Sequence, residues 1–94
     1  MKTEFTVSVE YPAEHFFTDM RDFDNRPEGV IDRELDKAKL PEIGGSGCGF
    51  GVRDFSIYGL KSMDAVYAAK RIIRKVFKNR NISGYSTSHR KDTD

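Results

Sequence analysis

Residues 44–60 read GGSGCGFGVRDFSIYGL, and the parsing of this stretch decides the fold. Gly45, Gly47, Gly49 and Gly51 alternate with Ser46, Cys48, Phe50 and Val52. Residues two apart on an extended strand share a face, so the glycine side would be bare backbone. In an unbroken strand Arg53, Phe55 and Ile57 would continue that bare face, whereas a turn near Gly49–Val52 makes a β-hairpin. The hairpin is the expectation, with Gly45, Gly47, Gly49 and Gly51 as structural glycines that let a helix pack closely. A phosphate cradle is the competing reading, and the spacing argues against it. The dinucleotide fingerprint G-x-G-x-x-G would need its third glycine at position 50 or 52, where Phe50 and Val52 stand. No Gly-Lys-Ser or Gly-Lys-Thr follows, and the strand-like RDFSIYGL occupies the place where a phosphate-binding helix would start.

Upstream, TEFTVSVEY alternates Phe5, Val7, Val9 and Tyr11 with Thr6, Ser8 and Glu10, the pattern of a half-buried strand that Pro12 ends. Phe16, Met20 and Phe23 then recur at helical spacing, consistent with a short helix or ordered loop. In NRPEGVIDRELDKAKL, Asn25 is the expected N-cap and Pro27 sits in the first turn. Ile31, Leu35 and Ala38 form the apolar stripe of a helix expected to end near Leu40–Pro41. Downstream, Phe55 and Ile57 fall on one strand face, and Ser56, Tyr58 and Leu60 on the other. Ser62 then reads as an N-cap for the strongest helix of the chain, whose apolar set is Ala65, Val66, Ala69, Ile72, Ile73, Val76 and Phe77. NISGYSTSH offers a short last strand. The order β-α-β-β-α-β suggests an α+β fold, an antiparallel sheet with two helices on one face in the ferredoxin-like split β-α-β arrangement. The other sheet face would stay open.

At 94 residues the chain is expected to be one domain spanning 1–89, followed by a frayed tail at 90–94. A large internal active-site cavity does not fit a chain of this size. Nothing resembles a signal peptide or a membrane span, and Cys48 is the single cysteine, so a disulfide or multi-thiolate metal site within the chain is excluded. A lone thiol suits a reducing compartment, and the expected location is cytoplasmic. The net charge of +1 conceals a polarity. Residues 1–47 carry six Lys/Arg against eleven Asp/Glu, net −5, and residues 48–94 carry ten against four, net +6. Such a polarity can steer a charged partner or set an acidic helix beside a basic one.

Residues 35–60, LDKAKLPEIGGSGCGFGVRDFSIYGL, resemble a pattern in small uncharacterised bacterial and phage proteins, in which an acidic helix precedes a G-x-G-F-G-x-R-D stretch and a strand. The resemblance implies an α+β fold and carries over no catalytic residue.

Candidates for chemistry are few. Cys48 would need His15 or His89 as its base, and nothing in the spacing unites them. His15 with Glu14, Asp19 or Asp22 lacks a recognised ligand spacing, and Asp19, Asp22, Asp24 and Glu28 lack that of a calcium loop. No cofactor, metal or catalytic role is therefore assigned. Lys70, Arg71, Arg74, Lys75 and Lys78 form a cationic stripe on helix 62–78, and Tyr58 or Tyr11 on an open sheet could stack bases. The leading expectation is a non-catalytic module that occupies a protein partner's surface. By analogy with immunity proteins and phage-encoded anti-defence proteins, it would act as an inhibitor. Nucleic-acid binding through the basic helix is the alternative, and a homo-oligomer through the open face or a strand edge is compatible with both.

Overall fold

The computed structural model describes residues 3–17 and 26–93. The elements run β1 (Thr3–Pro12), α1 (Glu14–Phe17), α2 (Pro27–Lys37), β2 (Ile43–Gly49), β3 (Val52–Leu60), α3 (Met63–Asn79) and β4 (Ser86–Thr93). The strands form one sheet in the order β2-β3-β1-β4, and every neighbouring pair is antiparallel. With α2 and α3 on one face, this is the expected α+β, ferredoxin-like β-α-β-β-α-β arrangement. The four-residue α1 is an addition before α2. Met20, Phe23 and the candidate cap Asn25 lie outside the described residues.

The alternation in β1 puts Val7, Val9 and Tyr11 in the core. They meet Phe55 and Ile57 of β3, Ile31 and Leu35 of α2, and Val66, Ala69, Ile73, Val76 and Phe77 of α3. Phe77 fastens α3 to the sheet, since its ring lies 5.2 Å from that of Tyr11 and 4.7 Å from that of Tyr85. Burying a side chain of this size contributes about 1.5–3 kcal/mol.

Helix boundaries follow from capping. Ser62 Oγ accepts a hydrogen bond from the Ala65 N–H at 3.1 Å, as its sequence context requires. Arg26 stands in the N-cap position of α2 without a side-chain cap, and Pro27 removes one of the N–H groups that would need a partner. α2 stops at Lys37 rather than near Leu40–Pro41, and Ala38 is exposed rather than on the buried stripe. Lys39 turns to φ +59, and the Leu40 N–H reaches the Leu35 carbonyl at 2.9 Å, the left-handed closure that ends many helices.

Two further expectations are corrected. Leu60 does not share the open face with Ser56 and Tyr58; it is fully buried in the core. The β1–β3 register shifts between Phe5 and Val7, and Gly59 at φ +76 supplies the bulge that turns Leu60 inward. Nor do residues 90–93 fray. β4 pairs with β1 from Glu10↔Ser86 to Thr3↔Thr93, and Thr6, 1% exposed, donates from its hydroxyl to the Asp92 carboxylate. Among the described residues no helix is long and apolar enough to cross a membrane.

Candidate interaction surface

The glycine stretch is a hairpin, as expected, and its packing is not. Gly49 and Val52 close the ladder, leaving Phe50 and Gly51 as a two-residue turn with φ of 54° and 77°. Two positive φ values mark the turn whose twist matches that of paired strands, and Asn-Gly is its usual sequence. Antiparallel partners share a face, so the pairs Gly45↔Ser56, Gly47↔Asp54 and Gly49↔Val52 put these glycines on the sheet side away from the helices. Among the described residues no helix packs on them. A Cβ at Gly44 or Gly45 would meet the ring or hydroxyl of Tyr58 at 2.6 or 3.1 Å, and one at Gly47 would lie 3.3 Å from Asp54 Oδ1. At Gly49 and Gly51 a Cβ would meet nothing within 4 Å. The bare backbone is thus a shelf. The Tyr58 ring lies over its base and the Asp54 carboxylate leans across its middle.

Phe50 at the tip is fully exposed, and Val52 is exposed beside it. A phenylalanine in left-handed backbone gives up about 1–2 kcal/mol, and here it gains no packing in return. The tip is nonetheless held firmly, because the Ala13 N–H donates to the Gly51 carbonyl at 3.0 Å. Beneath it, Arg53 donates from Nε and Nη2 to the two carboxylate oxygens of Glu28 at 2.8 and 3.0 Å. Both side chains are largely buried, 14% and 13% exposed. The Tyr11 hydroxyl donates to the same carboxylate, and the Phe16 ring stacks 3.9 Å from the Arg53 guanidinium. The hydrogen bond to Glu28 pushes Arg53 above its ordinary value, and burial followed by the Glu28 bond pushes the Tyr11 phenol well up. This ties β1, α2 and β3 together below the hairpin and fixes its direction.

The open sheet face is polar. Ser8 and Ser56 share a hydrogen bond of 3.2 Å. Glu10 and Asp54 stand directly opposite on β1 and β3, with no cation paired to either among the described residues. Tyr11 is absent from this face, contrary to expectation: it is 1% exposed, because odd positions of β1 point to the helices. Tyr58 is on the open face, laid over Gly44 and Gly45.

The cationic stripe is real as a surface. Arg71, Arg74, Lys75 and Lys78 are exposed on α3 and have no carboxylate within ion-pair distance among the described residues. Lys70 is partly covered and meets His89 Nδ1 at 2.6 Å. Cys48 is exposed on β2 and His89 on β4, the two opposite edges of the sheet, so the structure does not bring this pair together. The Cys48 sulfur instead accepts from Arg53 Nη1 at 3.6 Å. Of the carboxylates weighed for metal or acid–base work, Glu28 is committed to Arg53 and Tyr11. Asp19, Asp22 and Asp24 lie outside the described residues. Sequence reasoning passed over Phe50 and Asp54. The available signal was Phe-Gly in a turn where Asn-Gly is the rule.

No family model matches the chain, and neither does any curated protein. Solved structures share its fold, and two of them illustrate the likeness. A de novo designed protein, Foldit4, superposes with a TM-score of 0.60 at 15% identity, covering 97% of this chain and 98% of that one. A NIPSNAP family protein of unknown function from Agrobacterium tumefaciens superposes with a TM-score of 0.55 at 13% identity, covering 98% of this chain and 89% of that one. At these identities the likeness concerns the fold alone.

Proposed function

We propose that this chain is a non-catalytic protein-binding module that acts by occupying a partner's surface, with the β2–β3 hairpin as its contact element. Phe50 carries the reading. An aromatic side chain is held fully in solvent on a left-handed turn residue, where Asn would serve the fold better. Local conformational cost without folding benefit is a mark of function, and a rigid exposed aromatic is the usual anchor of a protein contact. The fixed tip lowers the entropy lost on binding. Action as an inhibitor follows if the covered partner surface is an active one, and a lone exposed thiol such as Cys48 suits the cytoplasm.

The test is quantitative affinity capture from a lysate of the encoding organism, with the natural chain and Phe50→Asn compared. A protein retained by the natural chain and depleted at least about tenfold by the variant supports the hairpin as contact. Identical capture by both chains removes it.

A second reading, nucleic-acid binding through α3, is favoured by the four cations Arg71, Arg74, Lys75 and Lys78 that stand without a carboxylate partner among the described residues. It requires affinity for labelled single-stranded RNA or duplex DNA that drops steeply between about 50 and 200 mM salt. Reversal of Arg71, Arg74 and Lys75 to Glu must abolish that affinity.

A further inference from the structure

We infer that the outer edge of β2 accepts an extended segment of a partner as a fifth strand, and that this segment carries Arg or Lys at alternate positions. The inference rests on the hairpin being the contact element and names what it contacts. β2 pairs with β3 on one side only. Asp32 Oδ1 takes the Ile43 N–H at 2.9 Å, so the strand's start is closed. From Gly44 to Gly49 neither strand nor side-chain cap lies along the outer side among the described residues. Unpaired N–H and C=O groups in that state form a template for strand addition, and main-chain bonds then supply affinity while alternate side chains supply selectivity.

Charge sets the selectivity. Residues 43–49 contain no charged side chain, so β2 itself repels neither sign. The nearest charge on the open side is Asp54, whose Oδ1 lies 3.3 Å from where a Gly47 Cβ would be. The carboxylate therefore leans from β3 toward β2, whose own line lies about 4.8 Å from the one an added strand would follow. An Arg or Lys side chain from that strand spans this distance across the bare glycine shelf. A side chain at 45, 47 or 49 would obstruct it. Glu10 lies directly opposite Asp54, and like charges facing each other across a ladder are unfavourable. A cation arriving over the shelf relieves that repulsion, whereas an acidic strand would add to it.

Three fluorescein-labelled, end-blocked heptapeptides with Thr or Val at odd positions and Arg, Gln or Glu at even positions serve as probes. Anisotropy gives affinity, and amide chemical shifts of the full chain give location. The Arg peptide is expected to bind at least about tenfold more tightly than the Glu peptide, with shifts centred on Gly44–Gly49. Asp54→Asn should remove most of that preference, and Gly47→Val should weaken the Arg peptide without lowering the thermal midpoint. Equal binding of the Arg and Gln peptides at the same amides overturns the charge selection and leaves the hairpin as a contact element. Binding of no peptide at millimolar concentration, or shifts on α3 or β4 instead, overturns strand addition. Light scattering that shows a dimer built on Gly44–Gly49 assigns the edge to a second copy and likewise overturns it. Whether the hairpin is a contact at all is decided separately by capture with Phe50→Asn.

Discussion

The sheet has two outer strands, and they are built on opposite plans. β4 carries His89, Arg90, Lys91 and Asp92 in succession. Arg90 pairs with Asp92 at 2.9 Å, Asp92 accepts from Thr6, and His89 meets Lys70. Consecutive charges on an edge strand discourage pairing with another chain, because each added strand would have to accommodate them. β2 has none of this protection: from Gly44 to Gly49 it offers glycine, serine and one cysteine. An unprotected edge on an otherwise orderly small domain is a liability unless something uses it. The contrast sets an unprotected edge on the β2 side against a charged, internally paired one on the β4 side.

The largest effect that can break the contrast comes from below the hairpin. Glu28 receives Arg53 twice and Tyr11 once, so Glu28→Ala leaves a mostly buried guanidinium and a buried phenol without their acceptor. Removing one partner of such a pair costs about 3–5 kcal/mol, a large share of the stability of a small domain. Urea unfolding should show the loss in midpoint with little change in slope. A loss below about 1 kcal/mol would mean that the pair is effectively solvated and that the hairpin's direction is fixed by the sheet alone.

Phe50→Asn comes next, with the opposite sign. Asn tolerates left-handed backbone where Phe does not, so the variant should be more stable by about 1 kcal/mol, a rise of about 4–8 °C in thermal midpoint for a domain of this length. Partner retention should fall in the same variant. Stability gained while binding is lost would show that the tip is built for contact. A drop in stability would give Phe50 an unrecognised structural role.

Much of this was legible in the sequence. The alternation in Thr3–Tyr11, the Ser62 cap and the apolar stripe of α3 each state a local preference that agrees with the fold, and together they determine the β-α-β-β-α-β order. The hairpin was legible from the glycines, but the side they face was not. That depends on which strand β2 joins and in what register, a long-range fact that period-two spacing does not contain. Leu60 was misassigned because one bulged residue reverses every later position on a strand. Residues 90–93 look like a loose polar tail until Thr6 and Asp92 are seen to be neighbours across the β1–β4 ladder. The basic stripe was legible as a helix face. That it lacks carboxylate partners among the described residues emerged only with α2 in place.

A third variant tests the edge directly. Ser46→Lys puts a charge on the exposed side of β2 toward the helices, opposite the glycine shelf, and imitates on β2 the protection that β4 already has. As a surface change it should alter stability by no more than about 0.5 kcal/mol. Strand addition should nonetheless weaken, read as a loss of anisotropy with the Arg peptide. Undiminished binding would place the peptide on a face of the sheet rather than along its edge.

The smallest effect belongs to β4. The hydrogen bond from Thr6, with help from Arg90, holds the Asp92 carboxyl below the usual carboxylate range. A depressed folded-state value means that the ionised carboxylate favours the folded form. Its contribution is fully present above the unfolded-state value, near 4, and is lost as pH falls through the lower folded-state value. The protection of amides in the β1–β4 ladder near Thr6 and Asp92, taken relative to the free chain at the same pH, should therefore fall on acidification through and below the usual carboxylate range, ahead of protection in the β2–β3 ladder. Asp92→Asn should abolish that pH dependence while leaving the β2–β3 ladder unaffected. Equal loss of protection in both outer ladders would show that acid acts on the whole domain through other carboxylates, and that the β4 edge is not closed by Asp92 in particular.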